Sequence, residues 1–563
     1  MYILGLWDGH DSGAALFEDD RIVFAANEER FTRNKLEIDF PAQTIKEALT
    51  YAGISSQDIK HIAISTSDFA KTLTRTFPAL KRRYYKIRRR KFAPSLANLL
   101  SKKAKYILTE IGPSRLMQSL SGSVVRKELS KLGFSDFKLH WVDHHWAHAV
   151  SAVTTSGLDK GLFLSLDGIG DGLSGIIGTF QGGTLNILNK LSGKHSLGIF
   201  FEHVTNLLNM RELEDEGKVM ALASFGFPVP DEDNPILEMF TLDGLKLTSK
   251  YSSLKLYKKL HNILWQYPSE QFAYMAQRTL EVLISRLVEN ACAQTGLVNL
   301  VYAGGVASNI KVNMLLKNSE KLKNLFVFPH MGDGGLALGA AAAVNIRLNN
   351  VVRYRLDNLF LGPQFTHMEI EETLKKYGVR YQRSDNIVEE AAGLLKDGHI
   401  LLWFQGRMEC GPRALGNRSI LALPNSAAIK NKLNIYLKER IWYQPFCPSM
   451  LEEEAAEMLE DHNGINNRFM TVGYTVKEKY VDQLIAVINA DNSCRPQILS
   501  RDSSRYSQLL QRIKEKTGYG VLLNTSLNKH GEPVVNSPSE AMELLIHSRF
   551  THLVMEDYLV WTD

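Results

Sequence analysis

The segment Gly161-Leu-Phe-Leu-Ser-Leu-Asp-Gly-Ile-Gly-Asp-Gly172 combines a short apolar run with a turn rich in aspartate and glycine. A second apolar run, Ile176 to Phe180, follows the turn, so the segment predicts a β-hairpin. The same order occurs at the start of the chain, where an apolar run over residues 2–7 leads into the turn Asp8 to Gly13 and further strands. Recurrence of one unit about 160 residues later predicts a duplicated domain.

Duplicated halves facing a cleft are typical of actin-like and sugar-kinase-like folds, and we place the halves at about 1–160 and 161–352. The pattern loosens over 353–385, which we interpret as a connector. A second domain is predicted over 386–563, since helical and strand patterns alternate there. The predicted fold class is therefore α/β in both domains.

The composition indicates a cytoplasmic enzyme with more than one domain. A chain of 563 residues is too long for one core, and 44% hydrophobic and 23% charged residues are ordinary values for a globular enzyme. The four cysteines are scattered without a Cys-x-x-Cys pair, which favours a reducing compartment. No basic region precedes the short apolar run at the start, so we expect no signal peptide.

A basic block, Lys81 to Lys91 (KRRYYKIRRRK), contains no acidic residue and leaves the rest of the chain net acidic. Such a block can make weak contact with an anionic surface or polyanion, and the interleaved Tyr84 and Tyr85 suit stacking. A solvated helix face is the commoner outcome for such a run. We expect no specific binding of nucleic acid.

His144 and His148 lie four residues apart in Trp141-Val-Asp-His-His-Trp-Ala-His-Ala149. A helix would place both imidazoles on one face, where they could bind one metal ion or simply pack against a neighbouring element. Asp333 precedes the helical pattern Leu336 to Val344 and is either a helix cap or a third metal ligand. Oxygen beside two imidazoles suits Fe(II), Mn(II) or Zn(II).

Two further loops have the composition of ligand sites. Gly304-Gly305, after a predicted strand, allows close approach of a nucleotide or acyl group. The loop Gln405 to Ser419 contains three arginines and predicts a phosphate or oxyanion site, to which Lys438 and Arg440 add positive charge.

Together these stretches resemble the O-carbamoyltransferases, the family that acts on tobramycin, cephalosporins and nodulation factors. The resemblance runs nearly end to end and rests on motifs in a fixed order: Asn27 to Arg33 (NEERFTR), His144 to Ala149 (HHWAHA), Glu216 to Lys218, Gly304 to Asn309, Phe404 to Ser419 (FQGRMECGPRALGNRS) and Asn524 to Asn528.

The resemblance implies an actin-like N-terminal domain and a C-terminal YrdC-like domain, similar to the domain that makes threonylcarbamoyl-adenylate. In the family, the C-terminal domain joins carbamoyl phosphate and ATP into carbamoyl-adenylate, with Mg²⁺ accompanying the ATP. The N-terminal domain then transfers the carbamoyl group to a hydroxyl with help from Fe²⁺ or a similar divalent metal. The acceptor, a small molecule or a glycan, is left open, as is a homodimer.

The resemblance also assigns roles to individual residues. The metal ligands would be His144, His148, Asp167 and Asp333. Gly304, Gly305 and Asn309 would line the adenylate in the N-terminal domain. The C-terminal site for carbamoyl phosphate and ATP would comprise Arg413, Arg418, Lys438, Arg440, Arg495, Asn524 and Ser526. Candidates for catalysis of the transfer are His10, Glu216 and Lys218, with His10 and Glu216 as candidate bases.

Several positions depart from the family pattern. Ile441 and Gln444 replace a glutamate and an arginine, and Cys447 replaces an alanine in the same segment. Asn489 and Leu36 each replace a histidine. The loss of a charged hydrogen bond costs about 1.5–3 kcal/mol, so these changes concern the strength of the first half-reaction.

Two alternatives remain beside carbamoyl transfer. A small-molecule kinase of the actin-like superfamily would explain the N-terminal hairpins but leaves the arginine-rich loop without a role. A non-catalytic nucleotide-binding module recruited by the basic block would leave His144, His148, Asp167 and Asp333 without a role.

Overall fold

The computed structural model of the chain describes residues 1–90, 107–462, 464–465 and 467–562. The fold consists of two compact units. The first contains Met1–Glu28 and Leu36–Leu356, and the second contains Asp357–Asp563 together with Glu29–Lys35. The short helix α1 (Glu29–Thr32) thus belongs to the second unit, although its sequence lies near the start of the chain.

Within the described ranges, the first unit contains two five-stranded sheets and a small hairpin. The strands are β1 (Tyr2–Trp7), β2 (Gly13–Glu18), β3 (Arg21–Asn27), β4 (Ile59–Ser65), β5 (Lys138–Val142), β6 (Lys160–Gly170), β7 (Leu173–Gln181), β8 (Thr184–Ser192), β9 (Phe240–Asp243), β10 (Lys246–Ser249), β11 (Asn299–Ala303) and β12 (Asn324–Val327).

The two large sheets have the same topology. Their strand orders are β3-β2-β1-β4-β5 and β8-β7-β6-β11-β12. In each, the first three strands form an antiparallel meander and the last two add in parallel to the first strand. The predicted duplication and the actin-like fold of this unit are confirmed, because both halves repeat one chain path.

The helices of the first unit connect and cover these sheets. They are α2 (Ala42–Ala52), α3 (Phe69–Thr76), α4 (Pro78–Arg88), α5 (Arg115–Lys131), α6 (His144–Thr155), α7 (Leu197–Leu207), α8 (Glu216–Leu222), α9 (Ser253–Leu264), α10 (Ser269–Thr295), α11 (Ile310–Lys317) and α12 (Leu336–Asn349). The chain contains no helix of sufficient length and apolarity to cross a bilayer within its described residues.

Helix α12 lies at the centre of the first unit. Its sequence LALGAAAAV is apolar on every side and is buried almost throughout, as expected of a helix packed on all faces. The backbones approach closely: a Cβ at Gly5 of β1 would lie 2.0 Å from the carbonyl oxygen of Ala337, and one at Gly339 would lie 2.0 Å from that of Ala147 in α6. Small residues at these positions therefore hold α12 against both β1 and α6.

The second unit is built on an eight-stranded mixed sheet of order β13-β22-β21-β14-β15-β20-β16-β19, beside a small pair β17-β18. Its strands are β13 (Arg380–Arg383), β14 (Leu401–Phe404), β15 (Arg418–Ala422), β16 (Cys447–Leu451), β17 (Tyr474–Thr475), β18 (Ser493–Cys494), β19 (Gln497–Leu499), β20 (Val521–Ser526), β21 (His552–Met555) and β22 (Tyr558–Trp561). Its remaining helices are α13 (His367–Tyr377), α14 (Ile387–Lys396), α15 (Ala427–Leu433), α16 (Glu452–Met458), α17 (Arg505–Thr517) and α18 (Pro538–Ile546).

The predicted connector 353–385 is wrong in its extent. The division between the units falls after Leu356, and the residues that follow include α13 and the edge strand β13. Helix α13 buries only Ile370 and Leu374, one turn apart, amid many charged residues, so its apolar pattern is too thin to be recognised from sequence. The α/β class of this unit is confirmed, and its YrdC-like character stays a prediction.

The close packing of α12 predicts a stability difference between two helical glycines. Gly339→Ala should lower the free energy of unfolding of the first unit by about 1–3 kcal/mol, because the new methyl group must displace the Ala147 backbone. Gly393→Ala in α14, where a Cβ meets nothing within 4 Å, should instead stabilise by about 0.5–1 kcal/mol. Denaturant unfolding followed by circular dichroism measures both; equal stabilisation by the two substitutions would contradict the described packing.

Candidate functional site

Two histidines and two aspartates converge in the first unit. His144 and His148 lie in the first turns of α6, Asp167 lies on β6, and Asp333 lies in the turn before α12. Asp167 Oδ2 is 3.2 Å from His144 Nε2 and 3.1 Å from His148 Nε2. Asp333 Oδ1 is 3.5 and 3.6 Å from the same two nitrogens. The structure thus brings together all four predicted metal ligands.

The electrostatics of this cluster are dominated by its two carboxylates. Burial alone would lower the pKa of His144, but Asp333 and Asp167 outweigh it and raise the pKa to about 9. Burial likewise opposes ionisation of Asp167, yet hydrogen bonds from His144 and His148 hold its pKa well below the ordinary value. The carboxylates thus stabilise positive charge at the imidazoles, and a divalent cation bound there would take the place of the imidazole proton.

The donor set fits a divalent metal. One ligand atom from each of the four residues lies within 4.8 Å of the others, and two nitrogens with two oxygens suit Fe(II), Mn(II) or Zn(II). Asp333 makes no side-chain cap to α12, so the alternative of a simple helix cap is wrong. The neighbouring His145 instead contacts Ser165 Oγ and the Leu173 carbonyl, and is a structural histidine.

His144, Asp167 and Asp333 of the cluster line a cavity of about 100 Å³ in the first unit. The lining also contains aromatic and charged side chains, namely Trp7, His10, Asp68, Lys71, Tyr84, Tyr85, Arg88 and Glu202. His10 Nδ1 lies 3.4 Å from Asp333 Oδ2 and 3.4 Å from the Tyr85 hydroxyl. Of the three candidates for catalysis, His10 is therefore placed beside the cluster and in contact with the cavity.

Lys71 is a cavity residue that the sequence analysis did not identify. Its Nζ lies 2.9 Å from Asp8 Oδ1 and 3.9 Å from the Trp7 ring centroid. Arg75 already makes two hydrogen bonds to the Asp8 carboxylate, and Lys81 donates to the Asp8 carbonyl. Burial, only partly offset by Asp8, lowers the pKa of Lys71 to about 7. No motif surrounds Lys71, so only the folded structure reveals this site.

The expected solvated helix face is confirmed for one side of the basic block, where Arg82, Arg83 and Lys86 are exposed, but the other side is buried. Lys81, Tyr84, Tyr85 and Arg88 are all buried, and the two tyrosines line the cavity. Arg88 forms ion pairs with Glu202 and Glu212, and other arginines of the block pair with Asp39 and Glu214. Buried charges require such partners, which the acidic segment around residue 212 supplies. Lys91 lies outside the described residues.

Glu216 and Lys218 are not among the described residues that line the cavity. Glu216 Oε1 accepts a hydrogen bond from the Leu213 amide, and burial raises the pKa of Glu216 to about 8. Lys218 pairs with Asp215 at 2.8 Å. Neither residue is placed to act as a base on a ligand in this cavity.

The glycine loop predicted to line an adenylate adjoins the cluster. A Cβ at Gly305 would lie 2.8 Å from Asp167 Oδ1, and Gly304 has φ +92°, which favours glycine. Asn309, however, caps α11 and exchanges hydrogen bonds with the amide of Gln277. The two glycines keep their predicted position near the site, whereas the Asn309 side chain is already engaged.

A second site lies in the second unit, where Arg413, Arg440 and Arg495 gather around Cys447. Burial, followed by the charge of Arg495, lowers the pKa of Arg413 to about 9. Burial also lowers the pKa of Arg440, to about 10. Nε of Arg413 and Nε of Arg495 are buried and have no hydrogen-bond partner among the described residues. The charges of Arg495 and Arg440 thus disfavour the cationic form of Arg413, and a cluster of neighbouring cations favours a bound anion.

Two predicted phosphate ligands have structural roles instead. Arg418 is fully buried, donates to the carbonyl oxygens of Gln405, Gly406 and Asn417, and stacks on Phe404. Lys438 is 1% exposed, and its ammonium group donates to the Ser526 carbonyl and to both oxygens of Asn528. Their placement on the phosphates is therefore corrected, because their donors hold loop carbonyls.

The remaining predicted residues are close to the arginine cluster or linked to it. Asn524 is 2% exposed, and its Nδ2 donates to the Ala414 carbonyl and to Ser449 Oγ. Ser526 Oγ donates to Asn528 Oδ1. Asn489, at a position where the family pattern has histidine, donates to Ser493 Oγ.

The comparisons agree with the motifs. The model of the carbamoyltransferase N-terminus matches residues 2–342, and that of the carbamoyltransferase C-terminus matches residues 392–562. Nodulation protein NolNO of Sinorhizobium fredii is 31% identical over 98% of this chain and 79% of its own length. Nodulation protein NolO of Bradyrhizobium diazoefficiens is 34% identical over 74% of this chain and 78% of its own.

Solved structures match more weakly. HypF of T. kodakarensis is 12% identical, covers 62% of this chain and 48% of its own, and has a TM-score of 0.35, from which we draw no conclusion. The family matches define a group-transfer enzyme. The chain belongs to the carbamoyltransferase family and is a carbamoyltransferase.

The geometry of the histidine–aspartate cluster predicts a bound divalent metal. Loss of a group that only supports a metal ligand weakens metal binding by about 10–100-fold. His148→Ala and Asp167→Asn change the ligands themselves and should weaken metal binding by more than this. His145→Gln is the matched control, because His145 lies in the same helix but contacts Ser165 and Leu173. Elemental analysis of the purified variants measures the bound metal. Circular dichroism checks that each variant is folded. Metal retention in His148→Ala with loss in His145→Gln would overturn the assignment.

The buried contacts of Arg418 predict a structural role distinct from that of Arg413. Arg418→Met should lower the free energy of unfolding of the second unit by about 2–4 kcal/mol, since it leaves several buried carbonyls without donors. Arg413→Gln should change it by less than about 1 kcal/mol, because Arg413 is only partly buried and its removal relieves repulsion from Arg495 and Arg440. Urea titration of both variants tests this difference, and comparable losses would contradict it.

Proposed function

We propose that the protein is an ATP-dependent O-carbamoyltransferase. In the second unit, water hydrolyses carbamoyl phosphate to carbamate and phosphate. A carbamate oxygen then attacks the α-phosphorus of ATP, so that carbamoyl-adenylate forms and pyrophosphate leaves. The carbamoyl group is then transferred to a hydroxyl in the first unit. The observation that carries this proposal is the cluster of Arg413, Arg440 and Arg495, whose mutual repulsion is relieved by a bound anion.

The arginine cluster suits the first half-reaction. Carbamate is a poor acyl donor until its oxygen is joined to AMP in a mixed anhydride, and forming that anhydride concentrates negative charge on the phosphates of ATP. A guanidinium group can bind a phosphate through two parallel hydrogen bonds, and this interaction is stronger where the site is buried. Arg413, Arg440 and Arg495 would therefore hold the phosphates in place and stabilise the charge that develops during adenylation.

The cavity of the first unit suits the second half-reaction. His144, His148, Asp167 and Asp333 would hold a divalent metal, Fe²⁺ or a similar ion, which supplies Lewis-acid polarisation when bound. His10 is the best-placed base for the acceptor hydroxyl, because Asp333 and Tyr85 orient its imidazole. Gly305 lies beside Asp167, where a side chain would crowd the carboxylate and an adenylate could approach the backbone.

The alternatives differ in their products. A kinase of the actin-like superfamily would release ADP, and it would leave the arginine cluster without a function. A non-catalytic nucleotide-binding module would release neither ADP nor pyrophosphate. The acceptor in the proposed reaction is a hydroxyl of a small molecule, a sugar or a glycolipid, and the nodulation proteins among the relatives are consistent with this class.

The division of labour between the units predicts distinct losses in two variants. With ATP, Mg²⁺ and carbamoyl phosphate, the wild-type protein should release pyrophosphate, and Arg413→Gln should reduce release by about 10²-fold or more, as loss of a stabilising charge does. His148→Ala should keep pyrophosphate release but abolish carbamoyl transfer to hydroxyl compounds. A coupled pyrophosphate assay and mass spectrometry of the acceptor measure the two steps.

Arg512→Gln is the matched control, because Arg512 is a surface arginine of the same unit that pairs with Glu515. Its pyrophosphate release should equal that of the wild type. Failure of the wild type to release pyrophosphate would refute adenylation. Loss of pyrophosphate release in His148→Ala would refute the separation of the two half-reactions.

A further inference from the structure

Cys447 occupies an unusual position for a thiol. It begins β16, where the family pattern has alanine, and Nη2 of Arg495 donates a hydrogen bond to its Sγ at 3.0 Å. Arg413 and Arg440 are near enough for negative charge on this sulfur to raise their pKa against the effect of burial. Three guanidinium groups therefore surround one sulfur atom.

A second observation indicates that the surroundings of Cys447 accommodate a ligand. Asn524 stands directly opposite Cys447 in the antiparallel ladder of β16 and β20, so the two side chains share one face of the sheet. Asn524 is 2% exposed, and its Oδ1 is buried without a hydrogen-bond partner among the described residues. Nε of Arg413 and of Arg495 are unpaired in the same way. Buried polar atoms are normally paired, so these atoms indicate a bound polar group.

Solvent access separates Cys447 from the other cysteines. Cys447 is partly exposed, whereas Cys292, Cys410 and Cys494 are 8%, 3% and 1% exposed. Reactive cysteines sit in electropositive, partly exposed surroundings, and buried ones are inert. In this chain the combination of arginine neighbours and access is found at Cys447.

We propose that Cys447 is a reactive thiol and a modification site for hydroperoxides, and that its oxidation blocks the anion site of the second unit. The thiolate sulfur attacks one peroxide oxygen, an S–O bond forms and the O–O bond breaks. The departing oxygen leaves as hydroxide or alkoxide and takes up, through solvent, the proton of the oxygen transferred to sulfur, so that water or an alcohol is released. The sulfur loses two electrons, the peroxide gains them, and the product is a sulfenate that thiol reductants reverse.

The sulfenate would compete with the substrate anion. Its negative oxygen would pair with the guanidinium groups that Arg413, Arg440 and Arg495 otherwise offer to phosphate. This blocking effect rests on the proposed function, whereas the reactivity of Cys447 does not. Two measurements therefore test the reactivity of Cys447 and the blocking effect separately.

The first measurement is thiol labelling of the full chain with limiting iodoacetate, read by peptide mass spectrometry. Cys447 should be labelled at least about tenfold faster than the three buried cysteines. The ratio of the labelling rate with anionic iodoacetate to the rate with neutral iodoacetamide should be higher for Cys447 than for glutathione, because the site is cationic. Inorganic phosphate should slow the labelling. Uniform labelling, or no effect of phosphate, would overturn the proposal.

Arg495→Met should slow iodoacetate labelling of Cys447, while Arg512→Met, at a surface arginine of the same unit, should not. The second measurement is pyrophosphate release after treatment with hydrogen peroxide. Peroxide should inhibit the wild type, and dithiothreitol should restore it. In Cys447→Ala the ratio of treated to untreated rates should stay near unity; equal inhibition of this variant would overturn the proposal.

If the untreated wild type releases no pyrophosphate, the proposed function is wrong, and the labelling results still decide the reactivity of Cys447.

Discussion

The first unit depends on one close approach between backbones, that of Gly339 in α12 to the Ala147 carbonyl in α6. An all-apolar helix gains its stability only by being enclosed, and small residues allow α12 to reach both α6 and β1. Because the two helices meet near their first turns, Asp333 before α12 arrives opposite His144 and His148 in α6. The packing that stabilises the core thus also assembles the candidate metal site.

Buried charge has opposite consequences in the two units. In the first, Arg88 of α4 enters the interior but finds acidic partners, Glu202 and Glu212, and contributes to the cavity lining. In the second, Arg413, Arg440 and Arg495 lie close to one another, and the charge of Arg495 adds to burial in lowering the pKa of Arg413 and Arg440. Buried charges that are paired with opposite charges stabilise the folded structure. Charges without such partners favour ligand binding, because a bound anion offsets the free energy cost of their burial.

Much of the fold could be predicted because strands and turns are local features. The hairpins at Asp8 and Asp167 are apolar runs that end in glycine turns. Their repetition predicts that the first unit contains a duplicated domain. Helix α13 was missed because its buried stripe is only two residues wide. The solvated face expected for the basic block is present on one side of α4 only, and the burial of its other side could not be predicted because the partners around Glu212 lie far away in sequence.

By itself the sequence determined the family, the repeated hairpin and the residue types at the candidate sites, because motifs and periodicity depend on residues that are close together in the chain. Tertiary structure decided which side chains meet. It separated Arg413, which lies among the arginines near Cys447, from Arg418, whose guanidinium donates to carbonyls one to thirteen residues away. It also placed Lys71 in the cavity and Cys447 among the arginines. Hydrogen-bond partners and burial are set by elements distant in sequence, so no local pattern could reveal them.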